Sequence, residues 1–241
     1  MCRCVTAVGL LCGFAAMFFA ACRAEAAPIL FGPSPYLEKT DGPIFIAQNQ
    51  YFYCEDFEDG TLSTSGVTSS PNGIITTNGV LTTDSVDADD GAIDGSGHQG
   101  RSLYSGGTTN SFSFEFSAVQ LSGLPKRAGI VWTDVGTVDE GQFGIGTVIF
   151  EAFGPANESL GTIVAEMLGD GSVNGGTEED RFFGVINPEG ISRITISMPH
   201  STDWEVDHLQ YIRVIPEPAA MSLIAISLAG LALRRGRRIR A

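Results

Sequence analysis

Between residues 27 and 215 helical spacing is almost absent, and apolar residues fall in short runs, two of which alternate strictly with polar ones. Ser111-Phe112-Ser113-Phe114-Glu115-Phe116-Ser117 places three Phe on one face of an extended segment and Ser and Glu on the other. Arg193-Ile194-Thr195-Ile196-Ser197 repeats the pattern. Short runs rich in Val, Ile, Phe, Thr and Tyr, bounded by Gly, Asn, Asp and Pro, predict strands. They lie near Ile44–Ala47, Tyr51–Phe57, Ser111–Ala118, Gly129–Thr133, Gly146–Phe153, Gly161–Leu168, Arg181–Ile186, Ile191–Ser197 and Trp204–Val214. Many short strands with turn signals between them predict an all-β fold, a single antiparallel β-sandwich. The similar runs Gly146–Glu151 and Gly161–Glu166 flank a Gly-Pro-Ala-Asn turn. They predict a hairpin, because a repeat array would need three or more copies. Glu58 to Leu103 has no aromatic residue in 46 positions. It predicts a long surface excursion with small edge strands around Ile74-Ile75 and Val80-Leu81, each preceded by an Asn-Gly turn.

The two ends follow another rule, with apolar residues in blocks. Met-Cys-Arg-Cys precedes an apolar run from Val5 to Cys22, then Arg23-Ala24-Glu25-Ala26-Ala27-Pro28. A basic start, an apolar middle and small residues at the close predict a secretory signal helix over 1–26, cut after Ala26. The rival reading is a lipoprotein signal with Cys22 lipidated. At the other end, Pro216-Glu217-Pro218 leads into an apolar run from Ala219 to Leu233, then Arg234-Arg235-Gly236-Arg237-Arg238-Ile239-Arg240. Fifteen apolar residues are fewer than the roughly 20 of a full bilayer span, but the Arg side chains can snorkel. The basic block holds that end on the cytoplasmic side. The triplet, apolar helix and Arg cluster over 216–241 resemble the PEP-CTERM sorting tail of exported bacterial proteins. The resemblance implies export, transient anchoring in the inner membrane by a C-terminal transmembrane helix, and processing by an exosortase-type enzyme. It further implies a final place at the cell surface or outside a Gram-negative cell that makes extracellular polysaccharide.

Removing the ends changes the composition. The whole chain has a formal charge of -14 and five Cys. Residues 27–215 keep seven basic residues (Lys39, Arg101, Lys126, Arg127, Arg181, Arg193, Arg213) against 26 acids, a net of -19. Nucleic acid is excluded as a partner, since phosphate binding needs clustered cations. Only Cys54 remains, so no disulfide can form within the segment, and it reads as a packed thiol without a nearby base to activate it.

A second resemblance rests on Phe57-Glu58-Asp59-Gly60, on Arg181-Phe182-Phe183-Gly184-Val185 with Gly190–Ile196, and on Glu205-Val206-Asp207-His208-Leu209-Gln210-Tyr211. These look like the first strand and closing half of a jelly-roll sandwich frequent in exported PEP-CTERM proteins. In such jelly rolls a structural Ca²⁺ often sits where first and last strands meet. Carried onto this chain, its ligands would be Glu58 and Asp207, with Asp56 or Asp59. Here His208 stands where a second acid or Asn is common. The run Asp84–Gly95 fails as an EF-hand, because counting from Asp87 puts Ala92 at the obligatory Gly and His98 at the closing Glu. Asp87, Asp89 and Asp94 stay as candidates for another kind of Ca²⁺ loop, against the plainer reading of a solvated acidic loop.

Catalytic motifs are scarce. Of His98, His200 and His208 none begins His-Glu-x-x-His, and no Ser lies in Gly-x-Ser-x-Gly. One sandwich glucanase pattern, Glu-x-Asp-x-x-Glu, fails at Glu205-Val206-Asp207 because position 210 is Gln. Sugar rings stack on exposed aromatics, and Trp204, flanked by Asp203 and Glu205, is the candidate platform, whereas Trp132 in an apolar strand reads as core. The expectation is an exported, non-catalytic cell-surface or matrix protein, with polysaccharide and Ca²⁺ as candidate ligands. The alternative is a polysaccharide-active hydrolase or lyase.

Overall fold

The structure is a computed structural model that describes residues 26–36, 41–42, 44, 50–76, 85–86, 100–133, 146–168 and 180–214. Its strands are β1 (Ile29–Pro35), β2 (Gln50–Glu55), β3 (Val67–Ser70), β4 (Ile74–Ile75), β5 (Leu103–Tyr104), β6 (Ser111–Phe116), β7 (Arg127–Thr133), β8 (Val148–Phe153), β9 (Ser159–Ala165), β10 (Arg181–Ile186), β11 (Arg193–Ser197) and β12 (Glu205–Val214). They form two antiparallel sheets, as the alternating pattern requires. Sheet A runs β1-β10-β7-β12-β5-β4, with β2 also paired to β12, and sheet B runs β3-β6-β11-β8-β9. The expected hairpin is β8–β9, pairing Val148 with Ala165 and Phe150 with Ile163. Its turn closes where Gly154 N donates to Glu158 O and Asn157 takes φ 62°.

The main core lies between the sheets. Phe112, Phe114 and Phe116 of β6 point inward with Ile194 and Ile196 of β11, and meet Trp132, Phe183, Val206 and Tyr211 from sheet A. A fully buried Phe contributes about 1.5–3 kcal/mol, so the three on β6 alone secure that strand. Sheet B turns polar residues outward: Ser113 and Thr195 face each other across β6 and β11 and share a 3.0 Å hydrogen bond.

Sheet A is covered on its outer face too. Tyr36, Ile44, Val86, Val131, Phe182 and Ile212 form a second core there, with Phe31 and Phe52 against it. Phe182 is the hub, stacked with Phe31 and Tyr36 at 5.9 Å in each case. It lies over Gly129, where any Cβ would stand 2.3 Å from its ring, so β7 needs glycine there.

Two departures from expectation share a cause. Strand β1 is absent from the predicted set because Pro33 and Pro35 mask its pattern, yet it pairs with β10 by shifting register between Phe31 and Ser34. Of the strand expected at Ile44–Ala47, Ile44 is described and lies outside any strand, buried in the second core, while 45–47 fall outside the described residues. Ile74–Ile75 forms the small strand expected beside Asn72-Gly73, and Val80-Leu81 falls outside the described residues. Local pattern is weakest where cover for another element, rather than pairing, decides a segment's place. The signal and tail helices also lie outside the described residues.

Candidate functional site

The densest polar constellation lies on the outer face of sheet A, where β12 breaks step. Asp207 pairs with Val131 and Gln210 with Gly129, so β12 inserts one extra residue opposite β7. That bulge puts His208 at φ 41°. It also lets Val206 and Leu209, three apart, both face the main core, while Asp207, His208 and Gln210 share the outer side. Glu205, Asp207, His208 and Gln210 are all buried.

Each of these groups is tied to other parts of the chain. Asp207 Oδ1 accepts from His208 N at 2.7 Å. Its Oδ2 accepts from Ser85 Oγ and Val86 N, both at 3.1 Å. Glu205 Oε2 accepts from Ser102 Oγ at 2.7 Å. Gln210 Nε2 donates to the Tyr36 hydroxyl oxygen at 2.6 Å, and that hydroxyl lies 2.8 Å from His208 Nδ1.

Arg101 links this group to the opening loop. Its backbone N donates to Glu58 Oε1 at 2.5 Å, and its carbonyl accepts from the same Ser85 Oγ that reaches Asp207. Glu58 and Asp207, which lie 149 positions apart, are thereby joined through two residues. The donors around them are hard oxygens: two carboxylates, the Ser85 hydroxyl and the Arg101 carbonyl. Each of these oxygens takes part in the hydrogen bonds just described. Among the described residues no three His, Cys, Asp or Glu side chains are grouped to hold a metal ion.

The last strand ends at Val214, and at that residue a known pattern begins. A sequence profile described as PEP-CTERM protein-sorting motif matches residues 214–238. The chain carries a PEP-CTERM sorting motif. Its matched stretch contains Pro216, Glu217, Pro218, Arg234, Arg235, Arg237 and Arg238, all outside the described residues. A motif of this kind indicates an exported protein sorted and processed by an exosortase. No curated protein matches the chain, and no solved structure does.

In the folded domain the other candidate residues separate. Asp56 accepts from Glu58 N at 3.3 Å within the opening loop. Asp59 is exposed and accepts from Thr61 N and Oγ1, both at 2.8 Å. These bonds to Thr61 hold its carboxyl below the usual range. Asp87, Asp89 and Asp94 fall outside the described residues. Trp204 does not stand out to solvent as expected. It is fully buried, tilted on Phe112 at 4.9 Å, and its Nε1–H donates to Thr109 O at 3.0 Å. The flanking acids mislead because a core Trp at the strand's start leaves Asp203 and Glu205 on other faces; Asp203 takes Tyr104 Oη–H at 2.7 Å. Trp132 is core, as its apolar strand implies.

Sequence reading alone passes over Tyr36, Ser85, Arg101, Glu205 and Gln210. One signal for them exists: the polar pair Asp207-His208 interrupts the alternation of Val206 and Leu209, which marks a bulge in a long strand. The partners come from remote segments that carry no motif.

Proposed function

We propose that this is an exported, non-catalytic cell-surface or matrix protein that meets polysaccharide through the outer face of sheet B. The observation that carries the reading is the asymmetry of the sandwich. Sheet A is covered on both faces, whereas sheet B presents alternating polar residues to solvent: Ser111, Ser113 and Glu115 on β6 beside Arg193, Thr195 and Ser197 on β11. A flat, hydroxyl-rich surface can exchange hydrogen bonds with sugar hydroxyls along an extended chain. The buried acids support a structural role for the rest of the domain. Glu55 accepts from Phe57 N, Ser63 N, Thr64 N and Thr64 Oγ1, while Asp207 serves three internal donors.

A glycan array with the exported protein tests this, followed by sedimentation with the best polysaccharide. Ser113→Ala with Thr195→Ala, which strips the two facing hydroxyls without touching the core, should weaken retention while the variant still unfolds cooperatively. Retention unaffected by the pair would overturn the assignment, and breakdown of a polysaccharide on the array would favour the hydrolase or lyase reading.

The convergence of Glu58 and Asp207 on Arg101 and Ser85 favours a second element, a structural Ca²⁺ held there. Added Ca²⁺ should then raise the melting temperature and EDTA lower it, and Asp207→Asn should remove the response. A melt indifferent to Ca²⁺ would dismiss the metal.

A further inference from the structure

The strands divide the molecule into two ends of opposite character. At the end where β12 finishes, β7 and β11 begin, β10 finishes, and the connections 117–126, 154–158 and 187–192 cross between strands. The contacts bind this end together: Asn187 N donates to Lys126 O, Ile191 N to Pro125 O, and Arg213 Nη2 to Ser122 Oγ. Four of the seven basic residues of 27–215 lie here: Lys126, Arg127, Arg193 and Arg213. Glu115, Glu158 and Glu189 are the acids beside them, which leaves this end net cationic in a segment of net charge -19. The connections from β7 to β8 and from β9 to β10 leave at the opposite end and hold, by sequence, eight acids and no Lys or Arg.

The cationic end also carries uncovered apolar side chains. Val119 in the β6–β7 connection is 91% exposed, Ile29 at the start of β1 59%, and Tyr51 at the start of β2 55%. Tyr51 extends a ring cluster outward from the core, tilted against Tyr53 at 4.6 Å, which stacks on buried Tyr211 at 4.9 Å. Tyr51 and Arg213 are cross-strand partners at the sheet margin.

The sorting motif begins at Val214, the final residue of a strand that is paired on both sides. Four residues, Ile215 to Pro218, separate it from the apolar run that starts at Ala219, and the five steps span at most roughly 18 Å when fully extended. A tail lodged in lipid therefore holds this end, and not the acidic one, against the headgroups. Tethering converts weak contacts into an intramolecular association.

We propose that the tail-proximal end of the sandwich is a lipid-docking face. Its four cations meet anionic headgroups, and Val119, Tyr51 and Ile29 enter the interfacial zone that suits aromatic and aliphatic side chains. The face rests on the membrane-anchored reading of the tail and goes beyond it, because it assigns an orientation to the folded domain. The acidic end then points away from the membrane, and like charge repels it from an anionic bilayer.

The full chain, reconstituted in nanodiscs of phosphatidylcholine alone or mixed with phosphatidylglycerol, tests the face by amide hydrogen exchange. Each cation near an anionic surface multiplies occupancy roughly fivefold. Exchange across 117–126 and 187–192 should therefore slow by on the order of tenfold or more in phosphatidylglycerol relative to phosphatidylcholine. Lys126→Glu with Arg127→Glu, and separately Val119→Asp at its exposed site, should remove most of that slowing while 219–233 stays protected. Equal exchange in both lipids and in detergent would overturn the proposal. So would equal protection in detergent by polygalacturonate, which assigns the face to a polyanion outside the cell, or protection that grows with protein concentration, which assigns it to a second copy. Loss of protection at 219–233 in both lipids marks failure of the anchoring itself and overturns both readings.

Discussion

His208 is held at φ 41°, a conformation that few non-glycine residues adopt, and its ring meets the edge of Tyr36 at 5.5 Å. The Gln210–Tyr36–His208 chain of hydrogen bonds is buried, so every missing member leaves a donor or acceptor without its partner. Tyr36→Phe removes one hydroxyl that serves two neighbours and should lower stability by about 1–3 kcal/mol in urea unfolding. Tyr211 is the second informative residue. Burial raises its phenol well above the ordinary Tyr value near 10, with Tyr53 and Glu55 adding to the effect, and its hydroxyl donates to Ser65 O. A folded-state pKa raised above the unfolded one contributes stability that is complete below pH 10 and is lost as pH climbs above it. Urea midpoints taken between about pH 9 and 11 should fall with pH, and Tyr211→Phe should flatten that fall.

Strand β12 organises the elements around it. It pairs with β7 on one side and with β2 and β5 on the other, so both β2 and the long excursion close upon it. Its bulge changes which side chains face which core, and without the extra residue Leu209 and Tyr211 would turn outward while Asp207 kept its side. Strand β7 shows the same dependence on a neighbour. Gly129→Ala would press a methyl into the Phe182 ring and the Phe183 carbonyl, 2.3 and 2.6 Å from the new Cβ, and overpacking of this kind costs about 1–3 kcal/mol. Thermal melting of that variant should show the loss, and Phe182→Leu in the same chain should recover part of it. The β6, β11 and β8–β9 elements were legible beforehand because one face meets a core and the other meets water, which writes a period of two into the residues. Strand β1 was harder, since sheet A is buried on both faces and the outer cover is supplied from far along the chain.

At the scale of the whole molecule, the domain and its tail meet without a spacer. Truncation after Pro218 removes the apolar run and should leave the melting temperature unchanged, whereas truncation after Leu209 deletes the pairing of Gln210–Val214 with β2 and should prevent cooperative unfolding, as followed by circular dichroism. The delivery of the protein was determined by sequence alone, because a Pro-Glu-Pro triplet, an apolar block and an Arg cluster act through composition and order. The all-β class was determined in the same way, since alternation is a local property. Tertiary structure decided the rest. The burial of Trp204, the joining of Glu58 to Asp207 through Arg101 and Ser85, and the gathering of four cations at the tail end all depend on which segments pack together. Those pairings are set by the burial of two cores at once, and no short window of residues carries that information.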